Sequence, residues 1–115
     1  MTALERLGRR AREINIPVSA HIDLTYRCNF VCEHCILPSK FGGTELSTAE
    51  VTRVLEELAA LGALLLTMSG GEVFLRKDLD EILAAADRLR FRTKLYTHGN
   101  FIDDARVEML VRRHV

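Results

Sequence analysis

Residues 63–72 read ALLLTMSGGE, a short apolar run that leads directly into a polar, glycine-rich tetrapeptide. A continuous apolar run of this length is typical of a strand that is buried on both faces of a parallel sheet. The sequence therefore predicts such a strand over residues 63–68. Ser69-Gly70-Gly71-Glu72 would then lie at its carboxyl end, which is where parallel α/β folds bind ligands.

The segments on either side of this strand predict further strands and helices. Residues 18–24 alternate apolar and polar side chains, and His21 on the polar face is expected to line the interior of the fold. A capping box at Ser47–Glu50 begins a helix that should end before Gly62. The other predicted elements are a helix over 3–14, a helix from about 78 to 90, a strand over 92–97, and a helix capped by Asp103 or Asp104 with Val107, Leu110 and Val111 facing inward.

The order of these elements, one helix followed by three β-α units, predicts an α/β fold with parallel strands and right-handed crossovers. With 115 residues, of which 48% are apolar, the chain can bury one core. We expect residues 1–17 to form an N-terminal helix and lead-in, and residues 18–115 to form the core domain. Three parallel strands cannot close a barrel of about eight, so this core domain is expected to be incomplete.

The composition argues against several classes of partner. Lys+Arg and Asp+Glu number 16 each, so no net field favours nucleic acid or an anionic membrane. No apolar run approaches the roughly 20 residues needed to span a bilayer, and residues 1–14 lack the apolar core of a signal peptide. We therefore expect a cytoplasmic protein.

The octapeptide Cys28-Asn29-Phe30-Val31-Cys32-Glu33-His34-Cys35 holds all three cysteines of the chain in a CxxxCxxC spacing. Thiolates are soft ligands suited to iron–sulfur clusters, zinc or copper(I). An ordinary 4Fe–4S cluster takes four cysteines, and a structural zinc site takes four ligands. Three thiolates leave one coordination position for another ligand, which indicates a reactive site rather than a structural one.

Two other interpretations of the cysteines stay open. They could line one face of a buried helix, although their polar neighbours and Pro38 favour a loop. They could also bind zinc, with His34 or His98 as the fourth ligand.

The glycine-rich tetrapeptide also has two interpretations. It could be a plain strand-to-helix turn that uses the backbone freedom of glycine. It could instead let a ligand approach the bare backbone, with strand-end carbonyls and the Glu72 carboxylate accepting hydrogen bonds from a cationic amine. The cysteine segment should leave the same edge of the sheet, because it follows the neighbouring strand.

CxxxCxxC after the first strand and Gly70-Gly71-Glu72 after the second resemble the radical S-adenosylmethionine (SAM) enzyme family over about residues 21–100. The resemblance implies that Cys28, Cys32 and Cys35 ligate three irons of a 4Fe–4S cluster and that SAM chelates the fourth. It also implies that Gly70, Gly71 and Glu72 bind the methionyl amine. His34 holds the position that lies near the adenine. Thr97-His98-Gly99-Asn100 aligns with a segment that often reads Thr-Asn-Gly, from which His98 departs.

The resemblance further implies the N-terminal half of a partial (βα)6 TIM-like barrel and a reductive cleavage of SAM. The resulting 5′-deoxyadenosyl radical abstracts hydrogen from a substrate, and the electron comes from a donor such as flavodoxin or ferredoxin. Residues 24–29 and 74–78 look most like enzymes that modify ribosomally made peptides, so a peptide is the expected substrate. A small molecule or cofactor precursor is the alternative substrate. A non-catalytic, cysteine-rich zinc-binding module is the alternative from another class.

Overall fold

The computed structural model describes residues 1–28 and 44–115 of the chain. Its elements are helix α1 (Ala3–Glu13), strand β1 (Ser19–Thr25), helix α2 (Thr48–Ala60), strand β2 (Leu65–Gly70), a 3-10 helix (Val73–Leu75), helix α3 (Leu79–Arg88), strand β3 (Arg92–Leu95) and helix α4 (Asp104–Arg112).

The three strands form one parallel sheet in the order β1-β2-β3. The pairing runs from Ser19 opposite Leu65 to Thr25 opposite Gly70, with a register irregularity between Asp23 and Thr25. This sheet and its intervening helices confirm the predicted α/β class with parallel strands. Because all three strands point the same way, their carboxyl ends meet at one edge of the sheet.

Local sequence signals set the helix ends. The predicted capping box of α2 is confirmed: the Ser47 hydroxyl accepts from the Glu50 amide at 3.2 Å, and the Glu50 carboxylate accepts from the Ser47 amide at 2.7 Å. The helix ends at Ala60, with Leu61 as its C-cap, and is followed by Gly62, whose φ of +100° suits glycine. These signals fix where α2 starts relative to the segment that precedes it.

The hydrophobic core lies between one face of the sheet and helices α2 and α3. Leu66 and Met68 of β2 are buried there against Leu55 and Ile82. The prediction that the strand is buried on both faces is wrong, because Leu65 on the opposite face is 40% exposed. In the described part of the chain, helices pack on one face of this strand only.

Helix α4 packs with a different side from the predicted one. Val107 and Val111 are 45% and 69% exposed, whereas Met109 and Leu110 pack partly against the core. The prediction of an inward Val107 and Val111 is therefore wrong. An ion pair from Arg113 Nε, directly after α4, to an Asp80 carboxylate oxygen at 2.7 Å connects the end of this helix to α3. Within residues 1–28 and 44–115, no helix is long and apolar enough to cross a membrane.

Candidate active site at the strand ends

Three candidate site segments leave the sheet at the same edge. Cys28 follows β1 within three residues, Gly71-Glu72 follows β2 directly, and Thr97-His98 follows β3 within three residues. The structure therefore brings together the first predicted cysteine ligand and the predicted amine-binding segment. Cys28 is exposed. Cys32, His34 and Cys35, the other predicted residues of the cysteine segment, lie outside the described residues.

Gly70 and Gly71 let two backbone segments approach closely. The Gly71 and Glu72 amides donate to the Thr25 and Arg27 carbonyls, each at 2.8 Å. A Cβ added at Gly70 would lie 2.1 Å from the Thr25 carbonyl oxygen, and one at Gly71 would lie 2.1 Å from the Arg27 carbonyl oxygen. Gly70 also has a φ of +144°. A side chain at either position would therefore collide with the chain that immediately precedes Cys28. This constraint holds whether or not a ligand also approaches the two glycines.

The Glu72 carboxylate is fully buried and is held by the chain itself. Its Oε1 accepts from the Thr97 hydroxyl at 2.7 Å and from the Phe74 amide at 3.2 Å. Its Oε2 accepts from the His98 amide at 3.0 Å and lies 3.1 Å from His98 Nε2. A buried carboxylate needs such donors, because desolvation of the charge would otherwise be costly. Glu72 therefore joins the end of β2 to the end of β3.

His98 is ordered by hydrogen bonds at both ring nitrogens. Nδ1 accepts from the Asn100 amide at 3.0 Å, which leaves the proton of the neutral ring on Nε2, facing Glu72. With both nitrogens engaged, the ring offers no lone pair to a metal in this arrangement. This disfavours His98 as the fourth ligand of a zinc site. Within residues 1–28 and 44–115, no three His, Cys, Asp or Glu side chains are grouped so that they could hold a metal.

A second polar cluster lies on the sheet face opposite the helices. His21 Nε2 lies 2.6 Å from the Ser69 hydroxyl oxygen, and this hydroxyl donates to the Asp23 carboxylate at 2.7 Å. His21 and Asp23 lie on β1 and Ser69 lies on β2, so this cluster joins two neighbouring strands. His21 therefore lies on the polar face, as the alternation of residues 18–24 predicts.

Sequence reasoning missed Arg76 and its partners. The Arg76 guanidinium contacts both Asp78 carboxylate oxygens at 2.8 and 2.7 Å, and this hydrogen bonding lowers the pKa of Asp78 to about 2. Hydrogen bonding from Arg27 likewise holds the pKa of Glu45 below its usual value. The Arg-x-Asp spacing just before α3 is a sequence signal that could have indicated a buried pair. Sequence reasoning also did not predict the hydrogen bond from the Thr97 hydroxyl to Glu72.

The chain matches a known family over most of its length. A family model described as the Radical SAM superfamily matches residues 22–115. The PqqA peptide cyclase of Rhodopseudomonas palustris is 39% identical over 109 residues, which are 93% of this chain and 29% of that protein. The chain therefore spans less than a third of the length of this relative.

Solved structures give the same fold. Streptococcus suis SuiB bound to precursor peptide SuiA superposes with a TM-score of 0.76 at 23% identity, covering 94% of this chain and 25% of that one. SuiB bound to S-adenosylmethionine superposes with a TM-score of 0.70 at 24% identity, again covering 94% and 25%. This likeness confirms the predicted fold class, a partial barrel with parallel strands.

Proposed function

The chain belongs to the radical SAM superfamily, whose members use a 4Fe–4S cluster and SAM, and from this premise we propose that it carries the cofactor-binding part of an enzyme that modifies a ribosomally made peptide. The peptide assignment is supported by its 39% identity to a PqqA peptide cyclase. The peptide is therefore the preferred substrate class.

In this proposal Cys28, Cys32 and Cys35 ligate the cluster. Gly70, Gly71 and Glu72 form the segment that binds the methionyl amine, and His34 lies near the adenine. One observation carries the assignment: the Glu72 amide donates to the Arg27 carbonyl at 2.8 Å. The amine-binding segment is thereby hydrogen-bonded to the residue directly before the first cysteine, so that one cofactor could contact both.

The described residues fit this cofactor pair in their donor chemistry. Cys28 offers an exposed thiol, which as a thiolate is the ligand that iron prefers. When bound, the cluster and SAM supply a 5′-deoxyadenosyl radical that removes a hydrogen atom from the substrate, after an electron arrives from a donor such as flavodoxin or ferredoxin. The chain orients these groups and excludes water from them. The buried Glu72 carboxylate keeps the two neighbouring strand ends at a fixed separation.

Anaerobic reconstitution with iron and sulfide tests this function. The full chain should bind about four irons, and its visible and electron paramagnetic resonance (EPR) spectra should change when SAM is added. Binding of one zinc ion with no response to SAM would instead establish the zinc-module alternative.

Cys32→Ala should abolish the cluster, because two remaining thiolates retain it poorly. The measurements are iron content and the absorbance of the reconstituted protein. Ser39→Ala, a change of similar size in the same segment, serves as the control and should leave iron content unchanged. A full, SAM-responsive cluster in Cys32→Ala would contradict the ligand assignment.

The substrate class is tested by turnover of SAM. Cleavage of SAM by the reduced protein, measured as 5′-deoxyadenosine, should increase when a precursor peptide encoded beside the gene is supplied. An increase with small molecules alone would favour the alternative substrate class.

A further inference from the structure

Arg76, a buried side chain, contacts the chain on both sides of the stretch that carries the three cysteines. Its Nη1 donates to the Leu24 carbonyl at 2.9 Å, just before the segment begins. Its Nη2 donates to the Leu46 carbonyl at 3.0 Å, just after the segment ends. The Arg76 side chain is only 5% exposed, so its bond to Leu24 is buried and its bond to Leu46 is partly buried. A single guanidinium thus spans both ends of the stretch that carries Cys28, Cys32 and Cys35.

Asp78 holds this guanidinium in place. Its two carboxylate oxygens accept from Arg76 Nε and Nη2 at 2.8 and 2.7 Å, the bidentate geometry that arginine favours. The same carboxylate accepts from the Thr48 hydroxyl at 2.5 Å, at the first residue of α2. Asp78 neutralises the buried charge and also connects it to the helix that follows the cysteine segment.

Glu45 extends the network to the residue before Cys28. Its Oε2 lies 4.0 Å from Arg76 Nη1, and its Oε1 accepts from Arg27 Nε at 2.8 Å and from the Thr25 hydroxyl. Arg27 Nη2 donates to the other Glu45 oxygen at 3.2 Å. The charges alternate in sign from Asp78 through Arg76 and Glu45 to Arg27, so the network is neutral and consistent with its partial burial.

We propose that Arg76 is a positioning residue for the cluster: it fixes the separation of the two ends of the cysteine segment and thereby the orientation in which Cys28 leaves β1. The proposal rests on the proposed function of the cysteines. A planar guanidinium has fixed N–H directions and reaches two carbonyls and a carboxylate at once, which an ammonium cannot reproduce. Groups that orient metal ligands from outside the first coordination sphere commonly change metal affinity by on the order of tenfold or more.

Hydrogen exchange in the cluster-free full chain tests whether Arg76 holds the two ends of the cysteine segment in place. The substitution is Arg76→Lys, and the matched control is Arg53→Lys, since the Arg53 side chain is 81% exposed and pairs only at the helix surface with Glu57. Arg76→Lys should accelerate exchange of the Arg27 and Glu72 amides by on the order of tenfold or more. Exchange of the buried Met68 amide should stay as in Arg53→Lys.

The reconstituted full chain tests the positioning of the cluster. Arg76→Lys should release iron to a chelator on the order of tenfold faster than Arg53→Lys, and its reduced EPR spectrum should differ in g values. A loss of global stability alone would not shift the g values. Rates and spectra equal to those of Arg53→Lys would overturn the proposal.

Asp78→Asn keeps the proposal falsifiable if Arg76→Lys does not fold. This variant keeps Arg76 but removes the carboxylate that accepts from its Nε and Nη2. The guanidinium is then no longer held against the two carbonyls, so exchange of the Arg27 amide and iron release should accelerate in the same direction. Unchanged exchange in Asp78→Asn would overturn the proposal. A wild-type chain that takes up no cluster counts against the proposed function, and the exchange experiment still decides whether Arg76 fixes the ends of the segment.

Discussion

Glu72 combines a formal charge with complete burial, and four hydrogen-bond contacts within the chain make this possible. Two of the contacts come from His98, one from its backbone amide and one from its ring Nε2. Its ring adds a contact to the carboxylate that the backbone amide alone would not give. Glu72, which the sequence predicts to bind a ligand, therefore also stabilises the edge of the sheet at which that ligand would bind.

Glu72→Gln should lower the free energy of unfolding by about 1–3 kcal/mol, because the amide removes the charge and turns an NH2 group toward a donor. Urea denaturation of the cluster-free chain measures this. The control is Glu56→Gln, whose side chain is 55% exposed and whose surface ion pair with Arg88 at 3.8 Å contributes little. Equal stability of the two variants would contradict the role given to Glu72.

Gly71→Ala should destabilise the chain by about 1–3 kcal/mol, because its methyl group would collide with the Arg27 carbonyl and force the backbone before Cys28 to move. Iron uptake should fall with it. Gly8→Ala is the matched control: an added Cβ meets nothing within 4 Å there, and alanine favours helix α1 by about 0.5–1 kcal/mol. Thermal denaturation should therefore shift in opposite directions for the two variants.

The start of α2 and the turn before α3 are joined at Asp78, which accepts from the Thr48 hydroxyl and pairs with Arg76, and the charge of Asp78 depends on pH. Arg76 lowers the pKa of Asp78 from its usual 3.8 to about 2. The folded state therefore binds fewer protons than the unfolded state between these values. The stability that this pair contributes is present above that window and is lost as the pH falls through it.

Asp78→Asn should accordingly be less stable than the wild type at neutral pH, and the difference should shrink as the pH approaches about 3. Urea denaturation across this range measures the effect. Glu108→Gln, an exposed substitution on α4, provides the control for a change of net charge. A stability difference between wild type and Asp78→Asn that is constant with pH would show that Asp78 contributes through packing alone.

Elements whose signals are local could be predicted from the sequence. The capping box at Ser47 and the periodic apolar residues of α3 depend on neighbours along the chain, and both are confirmed. The packing side of α4 depends on contacts with distant parts of the core, which the spacing of its own apolar residues does not reveal. For the same reason the sequence could place Gly70 and Glu72 at a strand end but could not reveal that Glu72 contacts His98.

In the part of the chain that the structure describes, helices α2 and α3 pack on one face of a three-stranded parallel sheet. Strand β2 is central and pairs on both sides, and its Leu66 and Met68 are 1% and 0% exposed. Native-state hydrogen exchange should therefore be slowest for amides of β2 and faster for those of β1 and β3, which each pair with a single neighbour among the described strands. Equal protection in all three strands would contradict this order.

The Arg76 network also bears on when the metal is acquired. Arg76 reaches Leu24 across 52 positions and Leu46 across 30, so these bonds form only after β1, α2 and the turn before α3 have come together. In a zinc finger the metal drives folding of an otherwise unfolded peptide. Here the described part of the scaffold is held by the chain's own contacts, so under the proposed function we expect cluster insertion to follow the folding of these elements.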